Sequence, residues 1–496
     1  MATVLNESTS SSVQDFVLSP TSALRSRTFN LQKVSEEVKI STTFPNFCTV
    51  HWDTKLLGEL GEHLAVVVSG DFPIKISEKL LGVPDIDSSS GMNQANGILG
   101  ILRDWNLQRK VFALCFDTTS SNTGVFNGAA VILERLLNRK CLWLACRHHT
   151  MEVMEAGVCS SIFGKSTAPD NPLFKTFKNK WDSLDKSMGR LVRLPESTWL
   201  NIRKNLIIER LQNIPGRFCR DDYREMINVA LVLLGEPNPD VLRKPGPIHH
   251  ARWMSRVLYF GKMLIFSCQL DYSEDFIEKL NRLAIFNCLL YTASWFDSSE
   301  CAAHAPANDI RLYIDLHRFK LIDSQIATAA LDKLKNHLWY LTPEMLTLSL
   351  FGTNVPAATK SEMANRLLEV KPLSCQKQSV MKKGKPKFPE LIIETVSLVN
   401  LIEQKSWFIF QALNIDTNWL YEPVDTWNEN ADFSFARNVV MHLKVVNDGA
   451  ERAVKLVEDY CDKVTKDPEM RQNLLQSVEH HRKQFSEFKK SAFVKK

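Results

Sequence analysis

Apolar and polar positions follow two rhythms along this chain. Between Phe47 and Cys146 the apolar residues come mostly in short runs. Cys48, Val50 and Trp52 alternate with polar neighbours up to Asp53, as on a pleated strand. Leu64 to Val68 and Glu78 to Val83 read as two further short strands, and the three predict an antiparallel meander. The rhythm changes at Met92 to Trp105, where Ala95, Ile98, Leu99 and Leu102 share a helical face and Ser90 stands at the N-cap position. Val111 to Phe116 is a continuous apolar run ending in Asp117, the pattern of a buried strand. A polar turn follows, Thr118 to Gly124, and then helical spacing from Ala129 to Leu137. Cys141 to Cys146 is a second apolar run. Strand, helix and strand at this length predict a parallel pair with its crossover helix. Ligand sites in open α/β sheets lie just beyond the carboxyl ends of strands, so Asp117 is the first candidate for chemistry.

From about residue 175 to 440 apolar residues recur at three and four, which predicts one or two helical domains. Three stretches interrupt them: a Pro- and Gly-rich loop from Gly235 to Pro247, a small-residue loop from Ser299 to Asn308, and a basic linker near 371–389. Asn447-Asp448-Gly449-Ala450 is a helix-start signal, followed by one helix through Val464 and a last one from Gln472 to Phe488. The expected organisation is a flexible arm over 1–40, a mixed sheet core over 41–170, an α-helical insertion over 171–440 and C-terminal helices over 441–496 that complete the core.

Composition changes this picture little. At 44% apolar and 24% charged the chain can bury a large core, and 496 residues call for more than one. A formal charge of +5 permits a nucleic-acid partner without demanding one. No apolar run reaches the length of a membrane span, and the N-terminus lacks the order of a secretory signal. The 11 cysteines are scattered without a CxxC pair and several lie in apolar runs; they read as reduced thiols of the nucleus or cytoplasm.

Five pieces then stand in order along the chain: a strand ending in Asp53; GMNQANGILGILRDWNLQRKVFALCFDTTSSNTG, which leads through a helix and strand into Asp117; Cys146-Arg147-His148-His149; Ala251-Arg252-Trp253-Met254-Ser255; and Ala450-Glu451-Arg452. Together they resemble the hAT-type DNA transposases, the last three being similar to that family's Cys-x-x-His, Thr-Arg-Trp-x-Ser and Ser-Glu-Arg. The resemblance spans roughly residues 45 to 465. It implies an α/β plus α fold: a ribonuclease-H-like mixed sheet core, its first and fourth strands side by side, interrupted by a large all-α insertion. It implies that Asp53, Asp117 and Glu451 are catalytic carboxylates holding Mg²⁺ or Mn²⁺, and that the chain cleaves DNA phosphodiesters and transfers strands. Two such ions about 3.5–4 Å apart can activate the attacking oxygen and stabilise the leaving one. DNA, self-association and a nuclear location are the partners and place this implies.

Each of these residues also has a plainer role. Asp117 can accept hydrogen bonds within its own turn, and HWDTK can be an exposed turn around Asp53. Asp448-x-x-Glu451 has the spacing of a capping box. Cys146 and His149 suit Zn²⁺ by type, but no second ligand pair accompanies them, which favours a packed thiol and a hydrogen-bonded imidazole over zinc. Trp253 can be packing beside Arg252. Lys382, Lys383, Lys385 and Lys387 suit a phosphate contact or nuclear import, and equally a solvated linker. The chain departs from the family in showing no Cys or His in residues 1–40 for an N-terminal BED zinc finger, and in the residues flanking Glu451. The alternative function is a domesticated, non-catalytic scaffold that binds DNA or protein.

Overall fold

A computed structural model describes residues 19–57, 61–165, 171–187, 189–214, 221–237, 242–246, 253–298, 301–372, 389–463 and 465–485. Six strands lie in one mixed sheet: β1 (Cys48–Leu56), β2 (Glu62–Gly70), β3 (Ile76–Gly82), β4 (Asp85–Ile86), β5 (Val111–Phe116) and β6 (Leu142–Ala145), in the order β3-β2-β1-β5-β6 with β4 also on β2. The helices of nine residues or more are α1 (Pro20–Ser41), α2 (Gly91–Asp104), α3 (Ala129–Leu137), α4 (Arg147–Phe163), α5 (Pro172–Lys180), α6 (Thr198–Gln212), α7 (Asp221–Leu234), α8 (Trp253–Ile265), α9 (Glu274–Phe286), α10 (Ala305–Phe319), α11 (Ser324–Leu334), α12 (Ala357–Val370), α13 (Ala431–Met441), α14 (Asp448–Lys463) and α15 (Pro468–Gln484). Two compact units result. The first is Met1–Phe112, Asn127–Lys140 and Asn447–Lys496; the second is Ala113–Phe126 and Cys141–Val446. The boundary falls inside β5, so residues 113–126 and 141–170, expected with the sheet core, group instead with the helices.

In the first unit β1 and β2 pair antiparallel from Cys48↔Gly70 to Leu56↔Glu62, and β3 continues the meander. Cys48, Val50 and Trp52 point to the α2 face, where the Trp52 indole Nε1 donates to Gln94 Oε1 at 3.1 Å. Alternation turns Thr49, His51 and Asp53 to the opposite face. There Ala65 and Val67 of β2 and Leu80 of β3 pack with Ala450, Ala453, Val454 and Val457 of α14 and Leu475 of α15. Ser90 caps α2 as its position predicts, accepting from Asn93 N at 3.3 Å.

The described part of the expected arm forms α1. Ser19 accepts from Ser22 N at 3.0 Å and Pro20 occupies the first turn, a favourable helix start. Periodicity missed it because Val38 is its one buried residue among those described. The helix lies against α15, where Ser477 Oγ donates to Leu31 O.

In the second unit β5 and β6 run parallel, from Ala113↔Leu142 to Phe116↔Ala145, as the strand–helix–strand spacing predicts. The rest of its described regular structure is helical. The stretch from Ser299 to Asn308 is not one loop: Ala302–His304 is a 3₁₀ turn and α10 begins at Ala305, with Pro306 in its first turn. Small residues there serve close packing, since Ala302, Ala303 and Ala305 are buried. A five-residue π turn, Asn287–Tyr291, joins α9 to a further helix, Thr292–Ser298. No helix among the described residues is long and apolar enough to cross a membrane.

Candidate functional site

Asp53 does not end its strand. β1 runs on to Leu56, and Asp53 sits opposite Ala65 in the ladder, half-buried on the face that α14 covers. The exposed-turn reading of HWDTK is therefore replaced by a strand position. The reason is that Asp53, Thr54 and Lys55 keep the pairing of β2, whose own apolar run extends beyond Leu64 to Val68.

Glu451 reaches the same layer from the other end of the chain. α14 begins at Asp448, and the Asn447 carbonyl accepts from Ala450 N at 3.1 Å and Glu451 N at 3.3 Å. Asn447 is thus the residue before the helix, and Glu451 is the fourth residue within it. A capping box anchored on Asp448 would need Asp448 outside the helix, so that spacing is out of register. The wheel of α14 sorts its residues by flank. Gly449 and Arg452 face β3: a Cβ on Gly449 would meet Glu78, and Arg452 Nη2 pairs with Glu78 Oε2 at 3.1 Å. Asn447, four residues before Glu451 and on its flank, faces β1: its Nδ2 donates to the Trp52 carbonyl at 2.5 Å. Glu451 is exposed on that β1 flank. Within the first unit, Asp53 and Glu451 are therefore brought to one face and one end of the sheet.

Asp117 belongs to the second unit and follows β5 directly. Its Oδ1 accepts from Thr119 N at 3.1 Å, Thr119 Oγ1 at 2.6 Å and Asn122 Nδ2 at 2.6 Å. The turn continues into a single helical turn, Ser120–Thr123. Three donors converge on one oxygen, while Oδ2 takes no hydrogen bond among the described residues. The carboxylate is therefore fixed in orientation with one oxygen open, the way ligating carboxylates are held. The same bonds also satisfy the plainer reading of a turn-forming aspartate.

The Cys146-x-x-His149 pair lies at the start of α4. Cys146 is buried and its N–H donates to Phe116 O at 2.7 Å, joining the ends of β5 and β6. His149 Nδ1 lies 3.4 Å from Glu152 Oε2, one turn on. Between them, Arg147 forms a buried pair with Asp309 at 2.6 Å, and His148 stacks on Trp295 with ring centroids 3.6 Å apart. Trp253 opens α8. Arg252, Lys382, Lys383, Lys385 and Lys387 lie outside the described residues.

The donor types suit a hard divalent cation, which takes one or two carboxylates and completes its shell with water and phosphate. Among the described residues no three His, Cys, Asp or Glu side chains are gathered so as to hold a metal ion. One or two carboxylates at a time could hold such an ion; the described residues offer no three-carboxylate cage.

Sequence reasoning missed the residues that orient these groups. Asn447 was visible only as a helix-start signal, and Thr119 and Asn122 only as turn formers. Their local partners are set by chain geometry, but the Trp52 carbonyl lies 395 residues from Asn447. A scan against family models finds no match to this chain, and a search of the curated proteins finds none either.

Proposed function

We propose that this chain is a transposase-like DNA-processing protein with a ribonuclease-H-like core, in which Asp53, Asp117 and Glu451 act on a DNA phosphodiester. The observation that carries the reading is the docking of α14 on β1, which sets Glu451 and Asp53 on one sheet face from positions about 400 residues apart. Supporting it, the sheet order of three antiparallel strands followed by a parallel pair is the one such a core requires. Asp117 offers one oxygen held by Thr119 and Asn122 and one left open. A divalent ion bound by these carboxylates would activate the attacking oxygen and stabilise the leaving one. DNA is the substrate, with nuclear location and self-association following from the same reading.

The test is nicking of supercoiled plasmid by the full chain in Mg²⁺ or Mn²⁺. Asp53→Ala, Asp117→Ala and Glu451→Gln should each lower the rate on the order of 100-fold or more, as loss of a group that stabilises transition-state charge does. Nicking that survives all three substitutions would sink the assignment.

A second reading is favoured by the three donors on Asp117 Oδ1, which make that residue complete as a turn. In it the chain is a non-catalytic scaffold that keeps the fold and binds DNA or protein. Salt-dependent DNA binding without nicking in either metal would select it.

A further inference from the structure

We infer that Asn447 is a positioning residue that fixes the spacing between Asp53 and Glu451. The inference rests on the functional reading above and extends it to a residue outside the three carboxylates. Asn447 is only 7% exposed, and both of its polar ends that find partners bind the two elements of the site. The side-chain Nδ2 grips the carbonyl of Trp52, the residue before Asp53. The main-chain carbonyl holds the N–H of Glu451 itself.

The anchor on the strand side is rigid. Trp52 is fully buried and its indole is held by Gln94, whose Nε2 in turn donates to Ser89 O at 2.7 Å. Gln94, Trp52, Asn447 and Glu451 therefore form one chain of hydrogen bonds from α2 through β1 to α14. Supporting residues of this kind hold reacting groups within a fraction of an ångström.

A simple helix cap would look different. A capping Asn turns its Oδ1 to the N–H groups of the first turn. Here Oδ1 is buried and accepts no hydrogen bond among the described residues, while Ala450 N goes to the main-chain carbonyl instead. The amide is oriented for the strand, not for the helix. Buried acceptors are rarely left unpaired in proteins.

The experiment titrates Mn²⁺ alone into the full chain and follows free Mn²⁺ by electron paramagnetic resonance. The variants are Asn447→Ala, Asp53→Ala and the double variant. Asn447→Ala is expected to weaken Mn²⁺ binding about tenfold, which is ~1.4 kcal/mol. The double variant should bind no more weakly than Asp53→Ala, because a positioning residue acts through the group it positions. Wild-type affinity in Asn447→Ala, or a loss that adds to that of Asp53→Ala, would overturn the inference while leaving the carboxylates in place. If Asp53→Ala itself binds Mn²⁺ as the wild type does, the functional reading fails and the inference fails with it. Should Asn447→Ala not fold, Asn447→Ser keeps a helix-starting residue but cannot reach the Trp52 carbonyl, and is read by the same criteria.

Discussion

In the first unit, main-chain groups of β3 and the carbonyl of Trp52 are met by amide side chains from α15 and from the residue before α14. Gln476 Nε2 donates to Leu80 O at 2.9 Å and Leu81 O at 3.1 Å, Gln472 bonds to Leu81 O and Val83 N, and Asn447 bonds to Trp52 O. In the second unit, buried cations of the helical core pair with buried carboxylates as well as bonding to main chain. Lys262 pairs with Glu225 at 2.6 Å, Arg147 with Asp309 at 2.6 Å and Arg203 with Asp315 at 2.7 Å, all inside a helical core. The difference follows from the elements being joined. β3 is an edge strand, and its unpaired carbonyls need donors that a covering helix supplies from its side chains. Helix interiors satisfy their own main chain, so a charge buried between helices needs an opposite charge even where a main-chain carbonyl also meets it, as Arg243 O meets Lys262. These amides of the first unit therefore place segments, whereas these ion pairs of the second unit match buried charges.

The largest effect should come from breaking such a match. Lys262→Met leaves Glu225 buried with its ion partner gone, and about 3–5 kcal/mol should be lost in denaturant unfolding. Adding Glu225→Leu should recover most of it, since a well-packed apolar pair often equals the ionic one. No recovery would mean that Lys262 matters for its bond to Arg243 O rather than for its charge.

Glu155 sharpens the comparison, because it is a buried acid with no ion pair among the described residues. Burial pushes its carboxyl up to about 7, against weaker opposing effects of Asn287, Cys159 and Arg256. Its Oε1 accepts from Asn287 Nδ2 at 3.2 Å, at the first residue of the π turn. The folded state thus holds a proton that the unfolded chain releases from about pH 4.5 upward. Stability from this group is full below about pH 4.5 and declines as pH rises to about 7, by roughly 3 kcal/mol in all. Glu155→Gln should flatten that slope in unfolding curves taken across the window. An unchanged slope would show that Glu155 ionises freely in the fold.

The smallest of the three belongs to the first unit. Gln476→Ala should cost about 1–2 kcal/mol, because two carbonyls of the β3 edge lose a donor. Hydrogen exchange should quicken in α15 and α1, which lies against it, and leave the second unit unchanged. Faster exchange in the second unit's helices would erase the distinction between the two regions.

Much of this was readable in the sequence. The runs of β1, β2, β5 and β6, the helical face and Ser90 cap of α2, and the start of α14 all follow from local periodicity and capping chemistry. The misses have local causes as well. Asp53 was read as a strand end because hydrophobicity stops at Trp52, though the ladder does not. α1 carries too little buried surface to show a period. The segment after Ser299 looked like a loop because small residues mark both loops and tight packing.

What the sequence determined by itself is the set of elements and the types of donor they carry, because a pleat, a helical face and a cap depend on neighbours within a few residues. Only the tertiary structure decided that Glu451 belongs on the face of Asp53, that Asn447 turns its amide to Trp52 instead of capping its own helix, and that Glu155 is buried without an ion pair among the described residues. Those outcomes depend on which distant backbone group is left without a partner when the elements pack, and on how deeply a side chain is then removed from water. Neither quantity is a function of local spacing.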